Sequence, residues 1–424
     1  MKIDRGLLGT LAAAALTAAC ASAGTGGTGS GGGGGPRMSV QLPEVTCSTG
    51  QLVASPAADS AAGILALVSA AAEDARPAQY RQARAQAGRA IAANPANSYG
   101  YYLAGQAAIG VQDYADADSL FRRSVELCPE LGPYDVDRLR RGSGALSVDR
   151  GSALLQSADT TGALAAYQTA LRLDPTSYPA EFYLGLVAFQ RQNTDDAVRH
   201  WRRVVSIIDE MPADSDAEVM RVRTETRGNT LNALVLASAQ YLNKQQSPQA
   251  AELLADLTRL LPNNPEAWYN YALAMNNLQR WQQLVPIAQK ATELAPLSYG
   301  AWILYYNAYA GQSQAATQAG NAAQAGELGR QARGISQRSE ALPVQLEAIT
   351  IDTEGANTQL RGTAVGTGPT APVRVEFTLH GAEGPLGTGT VTITPPAREQ
   401  NSPFELTIPN AAPVLGVTYR VVGG

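Results

Sequence analysis

Two periods divide this chain. From about residue 60 to residue 340, apolar side chains recur at three- and four-residue intervals. That spacing stacks them on one face of a helix. Past Pro343 the recurrence shortens to every second residue, as in a half-buried strand. The helical pattern opens near Ser60, where Ile64, Leu65, Leu67 and Val68 make one apolar face, and it breaks at Pro77. A second helix over residues 78–93 aligns the small side chains of Ala83, Ala87 and Ala90 and ends before Pro95. Prolines then mark a longer beat. The separation of Pro95 from Pro129 recurs between Pro262 and Pro296, and again between Trp268 and Trp302. One helical hairpin per step of about 34 residues is the unit that this beat predicts.

The unit ending at Pro129 carries a large aromatic, Tyr101, early in its first helix and Gly105 where the two helices cross. Tyr114 stands at the turn, and Ala117, Phe121 and Ser124 make a small–large–small stripe on the second helix. This unit resembles the tetratricopeptide repeat, two antiparallel helices in each step of the same length. A crossing at about 8–10 Å between axes tolerates no bulky side chain, which suits Gly105. The stripe recurs as Ala163, Tyr167 and Ala170 before Pro175, and Gly185, Ala197 and Trp201 follow. It returns with Ala250, Leu254, Leu257 and Pro262, then with Trp268, Ala272, Trp281, Ala288, Ala291 and Pro296. The step from Ala117 to Ala163 is 46 residues, a period with 12 inserted around residues 130–143; that from Ala197 to Ala250 is 53, a period with 19 inserted. The second insertion is expected to lengthen one helix and add a loop. Pro286 departs from the pattern, so its helix either starts late or is kinked there, and it marks where the array is expected to bend or loosen. The last unit places Trp302, Tyr305, Tyr306 and Tyr309 in its first helix and a capping second helix over residues 312–340. About seven hairpins are expected.

In residues 372–380, Val373, Val375, Phe377 and Leu379 face one way, and Arg374, Glu376, Thr378 and His380 the other. Val391 and Ile393 alternate with threonines, and Phe404, Leu406 and Ile408 with polar residues, between Gly- and Pro-rich breaks. Six or so strands in about 80 residues fit a sandwich. Residues 344–424 resemble the FxLYD-type envelope sandwich, with Leu379-His380-Gly381 at the Leu-Tyr-Asp-like place. The expected fold class is therefore α + β multidomain. An all-α superhelical tetratricopeptide-repeat solenoid over residues 60–342 precedes a small all-β immunoglobulin-like sandwich over residues 343–424.

The N-terminus adds a compartment. Lys2 and Arg5 precede an apolar run from Gly6 to Ala19, 14 residues long, against the roughly 20 that span a bilayer. It reads as a secretory signal. Thr17-Ala18-Ala19-Cys20 resembles a bacterial lipoprotein processing site, which implies cleavage after residue 19 and lipidation of Cys20. Leu16 stands four residues before the cysteine, where that family has its leucine three before. The alternative is an ordinary cleaved signal with a chance cysteine. Residues 21–36 form a Gly-rich tether, and residues 37–59 are expected to run extended. Ala21 in place of Asp implies, by resemblance, the outer membrane, with the protein facing the periplasm and touching the membrane only through its N-terminal lipid. Cys47 and Cys128 either pair, as an oxidising periplasm allows, or remain two buried thiols.

The net charge of −5 with 16% charged residues gives no reason to expect nucleic acid as a partner. No catalytic, cofactor or metal constellation emerges. His200 and His380 stand alone in separate domains, no phosphate-cradling Gly-rich loop is present, and Asp195 and Asp196 suit the first turn of a helix. What remains is surface. The repeat resemblance implies a concave face lined by first helices: Tyr99, Tyr102, Gln106 and Ile109; Phe182, Leu186 and Phe189; Val235, Ala239 and Leu242; Tyr269, Leu273 and Asn276; Ile303 and Asn307. Each aromatic there either contacts a partner or packs within the array. The face lacks the lysines and arginines with which chaperone-binding members clamp a carboxylate. The expected function is a non-catalytic, lipid-anchored periplasmic adaptor that binds another envelope protein or peptide. The alternative is an envelope enzyme with its site on the insertions or the sandwich.

Overall fold

The computed structural model describes residues 42–423 apart from residues 370, 383 and 411. The leader, Cys20 and the tether lie outside the described residues. Two compact bodies divide the chain near residue 191, with residues 209–211 grouping with the first.

The first body holds α1 (Pro56–Val68), α2 (Arg76–Ala93), α3 (Ser98–Gly110), α4 (Tyr114–Leu127), α5 (Asp137–Gln156), α6 (Thr160–Leu173) and α7 (Tyr178–Gln190). Ser55 caps α1 by accepting from Ala58 N, so the helix starts before the expected Ser60. It ends at Val68, well ahead of Pro77, which falls in the first turn of α2. There its missing N–H costs nothing. The first insertion makes no loop: a π-helical turn at Gly132–Val136 runs directly into the 20-residue α5. Ahead of α1, Gln51 pairs with Asn97, and Asn97 exchanges hydrogen bonds with the backbone of Val53. Cys47 and Cys128 are joined in a disulfide, Cα–Cα 4.9 Å.

One device closes the hairpins. Gln112, Ala158, Gln192, Gln245 and Gln279 all have φ between 55° and 64°. Their spacings of 46, 34, 53 and 34 reproduce the beat of the alanine stripe. After three of these left-handed residues a short polar side chain caps the next helix. Asp113 accepts from Asp116 N, Asp159 from Gly162 N and Asn193 from Asp196 N. The close crossings are glycine-dependent. A Cβ on Gly105 would lie 2.5 Å from the Phe121 ring, on Gly151 2.6 Å from Tyr167, and on Gly311 2.4 Å from Trp281.

The second body holds α8 (Thr194–Glu210), α9 (Ala217–Asn243), α10 (Ser247–Leu260), α11 (Pro265–Asn277), α12 (Trp281–Leu294), α13 (Tyr299–Gln318) and α14 (Ala322–Glu340). The second insertion supplies the loop before α9 and stretches α9 to 27 residues. Helix α12 begins at Trp281 and continues through Pro286, so it does not start late. Pro286 is exposed, which leaves the carbonyl that loses its helical donor on the water side. The helix expected over residues 312–340 is divided between α13 and α14. Gly320 turns left-handed at φ 73°, and Asn321 caps α14 through Gln324 N. The composition of residues 312–340 is helical throughout, so this break rests on Gly320-Asn321 alone.

Six strands follow: β1 (Gln345–Glu354), β2 (Asn357–Val365), β3 (Val373–His380), β4 (Pro385–Ile393), β5 (Asn401–Pro409) and β6 (Gly416–Val421). They form two antiparallel three-stranded sheets, ordered β1-β2-β5 and β4-β3-β6. Val375, Phe377 and Leu379 face Leu360, Phe404 and Ile408 in a common core; the Phe377 and Phe404 rings stand 5.7 Å apart. That core continues into Ala295, Leu297 and Trp302 of the helical region, and Leu346 N donates to Leu297 O at 3.0 Å.

Candidate partner-binding surface

The first body buries its share of the implied concave face. Tyr99, Tyr102, Gln106 and Ile109 on α3, and Phe182, Leu186 and Phe189 on α7, are all at most 4% exposed. The first insertion accounts for part of this. Leu131, Val136 and Leu139 join the core that contains Tyr99 and Tyr102. The Tyr102 hydroxyl donates to Asp135 Oδ2 at 2.5 Å, and Arg138 binds the same carboxylate. Arg140, another arginine of the insertion, pairs with the buried Asp118 at 2.7 Å. Both are buried charges matched and hydrogen-bonded, as burial requires. Neither amide atom of Gln106 has a hydrogen-bond partner among the described residues. These seven side chains therefore serve as packing in this conformation.

The second body leaves its share open in part. On α9, Val235 and Ala239 are buried and Leu242 is half-buried. Tyr269, Leu273 and Asn276 on α11 and Ile303 and Asn307 on α13 are all half-buried. Asn307 Nδ2 donates to Asn276 Oδ1 at 3.0 Å, tying α13 to α11. Gly300 admits the Tyr269 ring, which a Cβ there would meet at 3.1 Å. Burial raises the pKa of Tyr269, and the nearby Glu347 on β1 adds to it. Along α13, Trp302, Tyr305 and Tyr309 follow one another at ring separations of 6.4 and 5.7 Å, and Tyr299 and Tyr306 are exposed. This surface is aromatic, aliphatic and amide-bearing, and aromatic side chains are enriched where proteins contact one another.

Two asparagines were not singled out from sequence. Asn232 Nδ2, on α9, donates to Val414 O at 3.0 Å, and Asn264 Nδ2, at the cap of α11, donates to Leu415 O at 2.6 Å. Only Asn264 carries a local signal, since Asn before Pro265 reads as a helix cap. Its contact with the distant Leu415 leaves none.

The other chemistry-bearing residues have partners of their own. Asp195 accepts from the Tyr241 hydroxyl at 2.6 Å, and Asp196 pairs with Arg199. His200 lies beside Arg199, and His380 Nε2 meets Thr418 Oγ1 at 2.8 Å. Cys47, Cys128 and Glu130 bring three donor atoms within 4.8 Å, but both sulfurs are spent in the disulfide.

Residues 148–212 match the tetratricopeptide repeat family. Those residues carry the tetratricopeptide-repeat pattern, and the helical region as a whole is an array of hairpins like it. Among curated proteins, the cytochrome c-type biogenesis protein CycH of Pseudomonas aeruginosa is 30% identical over 143 residues, covering 33% of this chain and 32% of that protein. The chain thus spans about a third of that relative. Among solved structures, YrrB, described as a tetratricopeptide-repeat protein with an unusual peptide-binding site, is 18% identical with a TM-score of 0.29. That match covers 51% of this chain and 92% of YrrB. MamA from Desulfovibrio magneticus RS-1 is 15% identical over 46% of this chain and 95% of its own, TM-score 0.28. Repeat arrays of this kind serve as protein-interaction scaffolds. None of the described helices is long and apolar enough to cross a membrane.

Proposed function

We propose that this protein is a lipid-anchored adaptor of the cell envelope, held at the outer membrane by Cys20 and facing the periplasm. It acts by binding rather than catalysis. The partner, another envelope protein, is taken up on the half-open surface of α11 and α13: Tyr269, Leu273, Asn276, Ile303 and Asn307. The observation that carries this reading is the contrast between the two bodies. The same repeat positions are sealed in the first body, whereas on α11 and α13 of the second they are half-buried and carry aromatic and amide groups. Three observations support the compartment: the leader and Cys20 in the sequence, the Cys47–Cys128 disulfide, which suits an oxidising environment, and the partial likeness to a protein of cytochrome c biogenesis.

A photo-crosslinking amino acid placed at Leu273 or Ile303 in intact cells tests it. A discrete adduct with one envelope protein is expected, together with release of a Cys20→Ser chain into the soluble periplasmic fraction. Labelling no different from that at an exposed site on α2, such as Arg89, would refute the surface. Unchanged membrane fractionation of Cys20→Ser would refute the anchor.

A further inference from the structure

Residues 412–415, between β5 and β6, lie where the sandwich meets the repeat array: Leu415 N donates to His380 O of β3 at 2.7 Å, while the carbonyls of Val414 and Leu415 accept from the array. Asn410 anchors the start of this segment: its side chain donates to Thr358 Oγ1 and Ala412 O and accepts from Ala412 N. Residues 413–415 then run without regular secondary structure until β6 begins at Gly416. Along this stretch the array supplies what a peptide site supplies. Two asparagine amides, one on α9 and one capping α11, donate to successive backbone carbonyls of Val414 and Leu415. Gly228 on α9 opens a flat place against which Pro413 and Leu415 rest; a Cβ there would meet them at 3.1 and 3.2 Å. Gly416 passes so close to the chain before α11 that its Cβ would stand 2.3 Å from Asn263 O. Leu415 is 6% exposed yet is not part of the sandwich core, whereas Val414 is. Leu415 is therefore buried by the array.

This contact differs from the other junction between sandwich and helices. At Leu297, Leu342, Val344 and Leu346 the two share one apolar core. At Asn232 and Asn264 the array reads main-chain carbonyls, which any extended peptide presents, and selects side chains only by the room at Gly228 and the turn at Gly416. Main-chain bonds give affinity and small pockets give selectivity in such recognition.

We propose that residues 412–416 are a built-in occupant of a peptide site on α9 and α11, and that this site's partner ligand is an extended, uncharged segment with a proline-aliphatic-aliphatic-glycine pattern. The strap holds the site closed, and binding requires its displacement. Its failure is separable from that of the adaptor reading on which it rests, because the ligand used is synthetic.

The probe is a fluorescein-labelled peptide with the sequence of residues 410–418, titrated against the full chain by polarisation. The native protein is expected not to bind it, since the strap is present at a high effective concentration. A Leu415→Asp chain, whose strap carries a charge into the apolar contact, is expected to bind at least about tenfold more tightly than the native chain. Adding Asn264→Asp to that chain removes one carbonyl donor and places a carboxylate against Leu415 O of the peptide, while keeping an oxygen to cap α11. Binding is then expected to fall about tenfold. Far-UV circular dichroism checks each chain, and Leu415→Ser replaces Leu415→Asp should the sandwich unfold. Two results would overturn the proposal: a folded strap variant that binds no peptide, or one whose binding ignores Asn264→Asp.

Discussion

Glycine-to-alanine substitutions at two helical sites of the first body should move stability in opposite directions. Gly88 is exposed on α2, and a Cβ there meets nothing within 4 Å. Alanine should stabilise by about 0.5–1 kcal/mol, the ordinary gain on removing a mid-helix glycine. Gly105 sits on α3, where an added Cβ would lie 2.5, 2.7 and 2.9 Å from three atoms of the Phe121 ring. Carbon atoms rest at about 3.5–4.0 Å, so the ring or the helix must yield by about 1 Å. Phe121 is 0% exposed, so its ring cannot swing out into solvent. Overpacking of this kind costs about 1–3 kcal/mol. Set against the same helix gain of up to about 1 kcal/mol, Gly105→Ala should be destabilising by roughly 1–2 kcal/mol. Urea unfolding followed by circular dichroism reads both variants, and an unchanged slope shows that the midpoint shift is stability. Phe121→Leu removes the clashing ring atoms, so Gly105→Ala should cost less in that background; the double-mutant cycle isolates the pair. A Gly105→Ala protein as stable as the native one would refute the reasoning, since it would mean that the crossing is not close.

Other outcomes follow from single residues. Gln279→Gly should stabilise by about 0.5–1 kcal/mol in the same assay, because Gln279 holds φ 55° at a hairpin turn where glycine has no steric cost. Replacing Cys47 and Cys128 by serine opens a ring of 81 residues, for which the chain-entropy relation gives a loss of up to about 4.5 kcal/mol. Hydrogen exchange should rise first at residues 47–53 and 97–98, and protection unchanged there would count against the staple. Burial lowers the pKa of His380, so the unfolded chain binds a proton more readily than the sandwich does. The associated stability is complete above the unfolded value, about 6.5, and is lost as pH falls through the lowered folded value. Urea midpoints at pH 7.5 and pH 5 should therefore differ more for the native chain than for His380→Gln, and equal differences would exclude His380 as the source.

The repeat was legible because its signals are local and recur. Gly105 with Phe121, and the beat of prolines and tryptophans, state a close crossing and a helix end wherever they occur. The left-handed residues between hairpin helices left no such trace, because glutamine and alanine fill places where glycine would announce the turn. Gly320 did announce one, but alanines and glutamines on both sides masked it. The implied concave face was legible as a list of positions and not as a surface. Position in a repeat fixes which way Tyr102 and Tyr269 point. It does not tell that Asp135 and its insertion close over the first while the second stays half-open.

The sequence by itself determined the run of helical hairpins and the change to strands after them, since each follows from which neighbours a side chain meets within one or two turns or along one strand. Only the tertiary structure decided which repeat positions face solvent, and that residues 413–416 lie against Asn232 and Asn264. Those contacts join groups 151 and 182 residues apart. Main-chain carbonyls are their acceptors, and a carbonyl is the same at every residue, so no pattern of side chains encodes the meeting.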